Sequence, residues 1–230
     1  MARANLPRPC LMLVTEPMER SRLVDVVREA VAGGVNVVQL RDKTAKESEL
    51  LDTALALKAC LGDCPLLVNT HPTVATHADL AGVHLPGNGL RIDPVRAIIG
   101  PDRLIGRSVH SSDEAIVAER DGADYLILGT VFASGSHEDI LPAGSDAIRH
   151  VREALQQWFA SDRRDIRERK NPRAANLPII AIGGITSENC EECLAAGASG
   201  VAVLSGILYA ADPRTAARKY WERLNAYSAG

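Results

Sequence analysis

The chain has 230 residues, 46% of them hydrophobic and 24% charged, and a net charge of -3 at pH 7. The length suits a single α/β barrel, for which roughly 250 residues is typical, and the charge argues against a general nucleic-acid binder, which needs a basic surface to displace counterions. No stretch approaches the roughly 20 apolar residues that span a bilayer, and MARANLPRPC is too short and polar before Cys10 for a secretory signal, so a cytoplasmic location with no membrane partner is expected.

In chain order, short apolar runs alternate with amphipathic segments. The predicted strands are CLMLVT, VNVVQL, PLLVN, GVHL, LIGRSV, YLILG, PIIAIGG and GVAVL. Continuous apolar runs are what parallel strands covered by helices require. Predicted helix starts are Thr44 of T-A-K-E, a capping box answered by Glu47, Ser111 of S-S-D-E, and Asp212 followed by Pro213. Gly33–Gly34, Gly122 and Gly197 are predicted stops. The likeness of GGVNVVQL, GADYLILG and GASGVAVL marks one repeated βα unit. The expected fold is α/β, a single (β/α)8 TIM barrel over residues 1–230. An open doubly wound sheet is the alternative, weakened by the lack of a Gly-rich dinucleotide turn after the first strand. A charged stretch at about 156–176, from Gln156 to Asn176, breaks the rhythm and reads as a helix end and solvated loop before the seventh strand.

Five cysteines, an odd number without secreted-framework spacing, predict free thiols. Cys190 and Cys193 form C-x-x-C inside a helical segment. A zinc site would have to borrow Cys60 and Cys64, whose spacing fits no standard pattern, so no metal site is expected from cysteine.

In barrels of this class chemistry sits at the C-terminal ends of the strands, and phosphate often sits after strands 7 and 8. Here strand 7 leads into Gly183–Gly184–Ile185 and the predicted helix start T-S-E-N, and strand 8 into Leu204–Ser205–Gly206–Ile207. Glycine brings exposed backbone N–H groups close to an anion, and a helix start adds a positive dipole end. Ile179–Ile185 and Gly200–Ile207 are therefore the expected phosphate corner, where Gly184→Asp should abolish binding without unfolding the barrel. Alternation along strand 2 puts Gln39, Arg41 and Lys43 on one face, two cations and an amide suited to a diphosphate. The opposing reading is a solvated strand end with an internal Arg41–Asp42 pair. Asn69, His84, Ser108, His110 and Thr130 fall near the same rim, as do Ser134, Ser136 and His137 of the ASGSHED loop. His84 reads as a satisfied core or rim histidine, His77 and His150 as surface, and His137 as a candidate to close over an anion.

With VQLRDK, the strand 3 Asn69, GVHL, SVHSSDEA, GADYLILGTVF, AIGGIT-x-x-N, GVAVLSGI and DPRTAARKY in order along almost the whole chain, the sequence resembles the thiamine phosphate synthase/TenI family. That resemblance implies a transferase of thiamine biosynthesis. It joins hydroxymethylpyrimidine diphosphate to thiazole phosphate, and diphosphate leaves with the help of Mg²⁺. It implies that Gln39, Arg41 and Lys43 hold the diphosphate substrate, that Asn69 places the pyrimidine, that Ser108 lies near the diphosphate, and that Gly184, Ser205 and Gly206 cradle the thiazole phosphate. Thr130, Ser134 and Ser136 complete the expected substrate-binding set, and Lys43, Ser108 and His137 are the expected catalytic residues. The implied partners are these small phosphorylated substrates, without nucleic acid or membrane; a homo-oligomer is left open.

The sequence departs from the family pattern at the metal. Thr70 stands where synthases carry an aspartate after the strand 3 asparagine, and Gly89 of PGNGL where they carry a second. Those carboxylates hold Mg²⁺, a hard cation that takes oxygen ligands, so no protein metal ligand is assigned. Mg²⁺ would then rest on substrate oxygens, water and groups such as Glu138 or Asp139. His137 stands where the synthase loop has a lysine. A thiazole tautomerase, the activity of the TenI branch, needs no Mg²⁺, but its histidine after the strand 6 glycine is Thr130 here. A non-catalytic binder or regulator is the third reading. The retained Gln39, Arg41 and Lys43 favour the transferase.

Overall fold

The eight apolar runs form parallel strands in a closed ring: β1 (Cys10–Val14), β2 (Val37–Leu40), β3 (Leu66–Asn69), β4 (Gly82–Leu85), β5 (Leu104–Val109), β6 (Tyr125–Leu128), β7 (Ile179–Ile182) and β8 (Gly200–Val203). Spatial order follows chain order, and β8 closes onto β1 with Cys10 opposite Gly200. This is the TIM barrel expected from the sequence. The computed structural model describes residues 5–133, 141–161 and 176–229.

Each strand is buried on two sides, which is why the runs are continuously apolar. Inward-facing residues such as Met12, Val37, Leu67, Leu104, Tyr125 and Ile180 fill the barrel. Their outward neighbours, among them Leu13, Val38, Val68, Ile105 and Leu126, pack in a second cluster with buried helix residues such as Val27, Leu57 and Val151. The helices are α1 (Arg20–Ala32), α2 (Glu47–Leu61), α3 (Pro72–His77), α4 (Ile92–Ile99), α5 (Ser112–Asp121), α6 (Asp146–Ser161), α7 (Cys190–Ala195), α8 (Ser205–Leu208) and α9 (Pro213–Ala229). Among the described residues no helix is long and apolar enough to cross a membrane.

Two caps stand as expected. The Ser111 hydroxyl accepts from Glu114 N, and Asp212 Oδ1 accepts from Thr215 N at 2.9 Å. Gly122 ends α5 at φ 99°, a left-handed turn that glycine adopts freely. Two predicted starts are displaced. Thr44 does not cap α2, because its N–H and hydroxyl both turn onto Asp42 Oδ1 at 2.8 Å, a charged and therefore stronger acceptor. The helix starts at Glu47, after Lys46, whose N–H is answered by the Glu49 carboxylate. T-S-E-N is not helix either. Asn189 Oδ1 accepts from Thr186 N at 2.8 Å, closing a turn, and α7 begins only at Cys190. Cys190 and Cys193 are buried in α7 as free thiols, and no cluster of metal-ligating side chains occurs among the described residues. The charged stretch begins as the end of α6, where Trp158 Nε1 donates to Glu119 at 2.8 Å; residues 162–175 lie outside the described part.

Candidate active site

At the C-terminal ends of the strands the barrel opens into a cavity of about 700 Å³. Side chains alternate along a strand, so each strand gives its mouth one inward residue. Those from β2 to β5 are Gln39, Asn69, His84 and Ser108. Those from β6, β7, the residue after β8, and β1 are Ile127, Ile182, Leu204 and Val14. The floor is thus polar along one arc and apolar along the other.

The polar arc carries two separate hydrogen-bonded chains, Gln39–Asn69–Thr70 and Ser108–His84–Tyr125. Gln39 Nε2 lies 3.4 Å from Asn69 Oδ1, and Asn69 Nδ2 donates to the Thr70 hydroxyl at 2.8 Å. Gln39 Oε1 is buried and has no donor among the described residues, an acceptor that a ligand N–H would satisfy. His84 is buried, with Nε2 2.8 Å from Ser108 Oγ and Nδ1 3.2 Å from the Tyr125 hydroxyl. Burial, aided by the Arg107 guanidinium, pushes its pKa down to about 3, so the ring is neutral. This is the satisfied histidine that the sequence suggested.

Over this arc stand Arg41 and Lys43. β2 ends at Leu40, so neither lies on the strand, yet both line the cavity. The Arg41–Asp42 pair does not form, since Asp42 is engaged in its own turn. Glu16 approaches Arg41 Nη1 at 3.5 Å instead and accepts from the Tyr209 hydroxyl at 3.0 Å. Buried Thr15 fixes the Arg41 backbone, its Oγ1 accepting from Arg41 N at 2.9 Å. Lys43 is exposed and makes no ion pair among the described residues.

Beyond the apolar arc lies the glycine corner. Gly184 has φ 61°, and a Cβ on it would fall 2.2 Å from Ala133 O and 2.6 Å from Phe132 O. Asn189 Nδ2 donates to Gly184 O at 3.0 Å, which explains the asparagine of AIGGIT-x-x-N. Ser205 and Gly206 open α8, where N–H groups lack intrahelical acceptors. Tyr220 of α9 braces both loops: its hydroxyl donates to Ile185 O at 3.1 Å and would lie 2.5 Å from a Cβ on Gly206. Ile182 and Leu204 belong to the cavity wall; Gly184, Ser205 and Gly206, which follow them in the chain, are not part of it. Gly184→Asp would therefore disturb the backbone itself, contrary to the expectation that the barrel would not notice it.

Thr130 packs against Gly183 and is not part of the cavity wall. Ser134, Ser136 and His137 lie outside the described residues, as do Glu138 and Asp139. His77 and His150 are exposed, as expected. Sequence reasoning missed Glu16, Thr15, Tyr125 and Arg107. Arg107 donates to Pro86 O at 2.6 Å and Leu90 O at 2.9 Å, strapping the loop after β4. Only the alternation of LIGRSV, which turns Arg107 away from Ser108, could have hinted at it.

The described residues do not fit Mg²⁺ held by protein carboxylates, because the donor set is wrong for an octahedron of oxygens. Thr70 stands at φ 68° with its hydroxyl engaged by Asn69. A Cβ on Gly89 would sit 3.0 Å from Pro86 Cδ and 3.1 Å from Pro86 O, so the strapped loop leaves little room for a side chain. The carboxylates of the cavity wall are Glu16, occupied as above, and Glu114, which accepts from His110 N at 2.8 Å.

Comparison with known proteins matches this arrangement to one family. The family described as thiamine monophosphate synthase matches residues 11–207. A thiamine-phosphate synthase of Methanoculleus marisnigri is 38% identical over 224 residues, 95% of this chain and 97% of that protein. One of Shouchella clausii is 36% identical over 199 residues, 85% of this chain and 86% of that protein. The solved structure of a thiamine phosphate pyrophosphorylase from Pyrococcus furiosus superposes with a TM-score of 0.76 at 29% identity, covering 96% of this chain and 98% of that one. The chain belongs to the thiamine monophosphate synthase family.

Proposed function

We propose that this protein is a thiamine-phosphate synthase, a transferase that joins hydroxymethylpyrimidine diphosphate to thiazole phosphate. The split floor carries this reading: a polar arc under Arg41 and Lys43 on one side, and an apolar arc leading to the glycine corner on the other. A two-substrate enzyme needs two such places facing one another. Gln39 Oε1 and Asn69 suit the amino-bearing edge of the pyrimidine. Arg41, Lys43 and the Ser108 hydroxyl face the diphosphate, on which negative charge grows as the C–O bond breaks and the electron pair leaves with it. Ile127, Ile182 and Leu204 seat the thiazole ring and keep water from the pyrimidine cation, so that the thiazole nitrogen supplies the pair for the new C–N bond. Backbone N–H groups of Gly184, Ser205 and Gly206 take the thiazole phosphate. No step is assigned to Mg²⁺. The compartment consistent with such a biosynthetic enzyme is the cytoplasm.

The test is to supply both substrates to the purified protein, in Mg²⁺ and in chelator, and follow thiamine phosphate. Product in either condition is expected, and its absence in both refutes the transferase. One observation favours a second reading, an isomerase acting on a thiazole phosphate: the described residues offer no carboxylate pair for Mg²⁺, which that reaction does not need. Isomerisation without transfer would select it, with His137→Ala testing the candidate acid or base.

A further inference from the structure

A serine hydroxyl 2.8 Å from a histidine ring nitrogen looks like a nucleophile with its base. The other end of the same histidine contradicts that reading. Tyr125 is fully buried inside the barrel, and its hydroxyl makes one hydrogen bond among the described residues, to His84 Nδ1 at 3.2 Å. Its neighbours there, Cys10, Met12, Ile127 and Ile180 among them, are apolar. Burial raises the phenol pKa well above its ordinary value, so the proton stays on oxygen. A buried O–H left without an acceptor is costly, whereas an unfilled oxygen lone pair is tolerated. Tyr125 therefore donates to Nδ1, which leaves the histidine proton on Nε2. The place of the phenol is itself built in: a Cβ on Gly106, the neighbouring inward position of β5, would fall 2.0 Å from the Tyr125 ring, so glycine there is what admits the tyrosine.

We infer that Tyr125 and His84 are positioning residues that fix the Ser108 hydroxyl as a hydrogen-bond donor to an anionic oxygen in the cavity. Nε2–H donates to Ser108 Oγ, whose own proton can no longer point back at the ring and is turned into the mouth. Ser108 is then not activated as a nucleophile; it offers a donor where charge develops on a departing diphosphate. The role assigned to Ser108 rests on the transferase reading, but the direction of the hydrogen bonds does not.

The experiment is ¹⁵N NMR of the His84 imidazole in the labelled protein, beside calorimetry with inorganic diphosphate and transferase kinetics. The wild-type ring is expected as the Nε2–H tautomer. Tyr125→Phe keeps the ring that packs over Gly106 and removes only the hydroxyl. It is expected to admit the Nδ1–H tautomer, weaken diphosphate binding about tenfold and lower kcat by a similar factor. A wild-type Nδ1–H tautomer overturns the inference, and so does a Tyr125→Phe protein with unchanged tautomer, whatever its activity. If the wild type makes no thiamine phosphate, the transferase reading fails, while the tautomer and the diphosphate affinity still decide the relay.

Discussion

The two arcs of the mouth are built from different materials. The corner beyond the apolar arc is made of backbone: Gly184 at φ 61°, the opening turn of α8, and two loops braced by Tyr220. The polar arc is made of side chains: Gln39, Asn69, His84 and Ser108, with Arg41 and Lys43 above. The corner tolerates little change, because a Cβ on Gly184 meets neighbouring main chain and one on Gly206 meets the Tyr220 hydroxyl. A side-chain site can be rebuilt one residue at a time, and it is there that Thr70 and Gly89 stand where the family resemblance leads one to expect aspartates. The difference separates a rigid main-chain corner, to which the proposed function gives the thiazole phosphate, from a side-chain arc, to which it gives the departing diphosphate.

The sharpest way to break the comparison is Gly184→Asp. Its Cβ has no room beside Ala133 O and Phe132 O, and aspartate would have to hold a left-handed backbone. A loss of more than about 3 kcal/mol of stability is expected together with loss of thiazole phosphate binding, measured by thermal unfolding and calorimetry. An unchanged melting temperature would show that the corner is not the rigid element described.

Ser108→Ala tests the polar arc and should do the opposite, leaving the fold intact while kcat falls about 10²–10³-fold, the usual effect of losing one donor to developing charge. A fall confined to KM would place Ser108 in ground-state binding only.

His84 gives the polar arc a pH signature. It is neutral when folded, with a pKa near 3, but in the unfolded chain it takes a proton near the ordinary 6.5. Between those values the unfolded state binds more protons, so stability falls as pH falls. The slope from this one group is about 1.4 kcal/mol per pH unit, and its full contribution is present above pH 6.5. In denaturant titrations His84→Gln should flatten that acid limb; an equally steep limb in the variant would assign it elsewhere.

The smallest effect is expected at Thr70, a β-branched residue at φ 68°. Thr70→Asn keeps an acceptor for Asn69 and suits the left-handed region better. It should raise stability by roughly 0.5–1 kcal/mol, read as a shift in the denaturation midpoint. A loss of stability would mean that the Asn69–Thr70 hydrogen bond outweighs the strain.

The two arcs also differed in how far they could be read from sequence. Strand periodicity gives the barrel, because continuous apolar runs suit parallel strands covered by helices, and Gly183–Gly184 marks the tight turn that follows β7, both glycines at positive φ. Alternation points to Gln39, Arg41 and Lys43, although β2 stops at Leu40 and it is the turn closed by Asp42, with Arg41 held by Thr15, that delivers the two cations. Glu16 and Tyr125 were illegible. Each acts on a partner distant in sequence, Glu16 on Arg41 and Tyr209, and Tyr125 on His84, and no local pattern encodes a contact across the barrel. The helix starts misread at Thr44 and Thr186 share one cause: a side-chain oxygen, of Asp42 or Asn189, captured the N–H groups first.

The most direct test of the two-arc account is a crystal structure of the protein with thiamine phosphate and diphosphate bound. The phosphate of thiamine phosphate is expected on the backbone N–H groups of Gly184, Ser205 and Gly206, with free diphosphate between Arg41, Lys43 and the Ser108 hydroxyl. Both anions on the polar arc, or either one displaced from its arc, would contradict the division of labour described for this mouth.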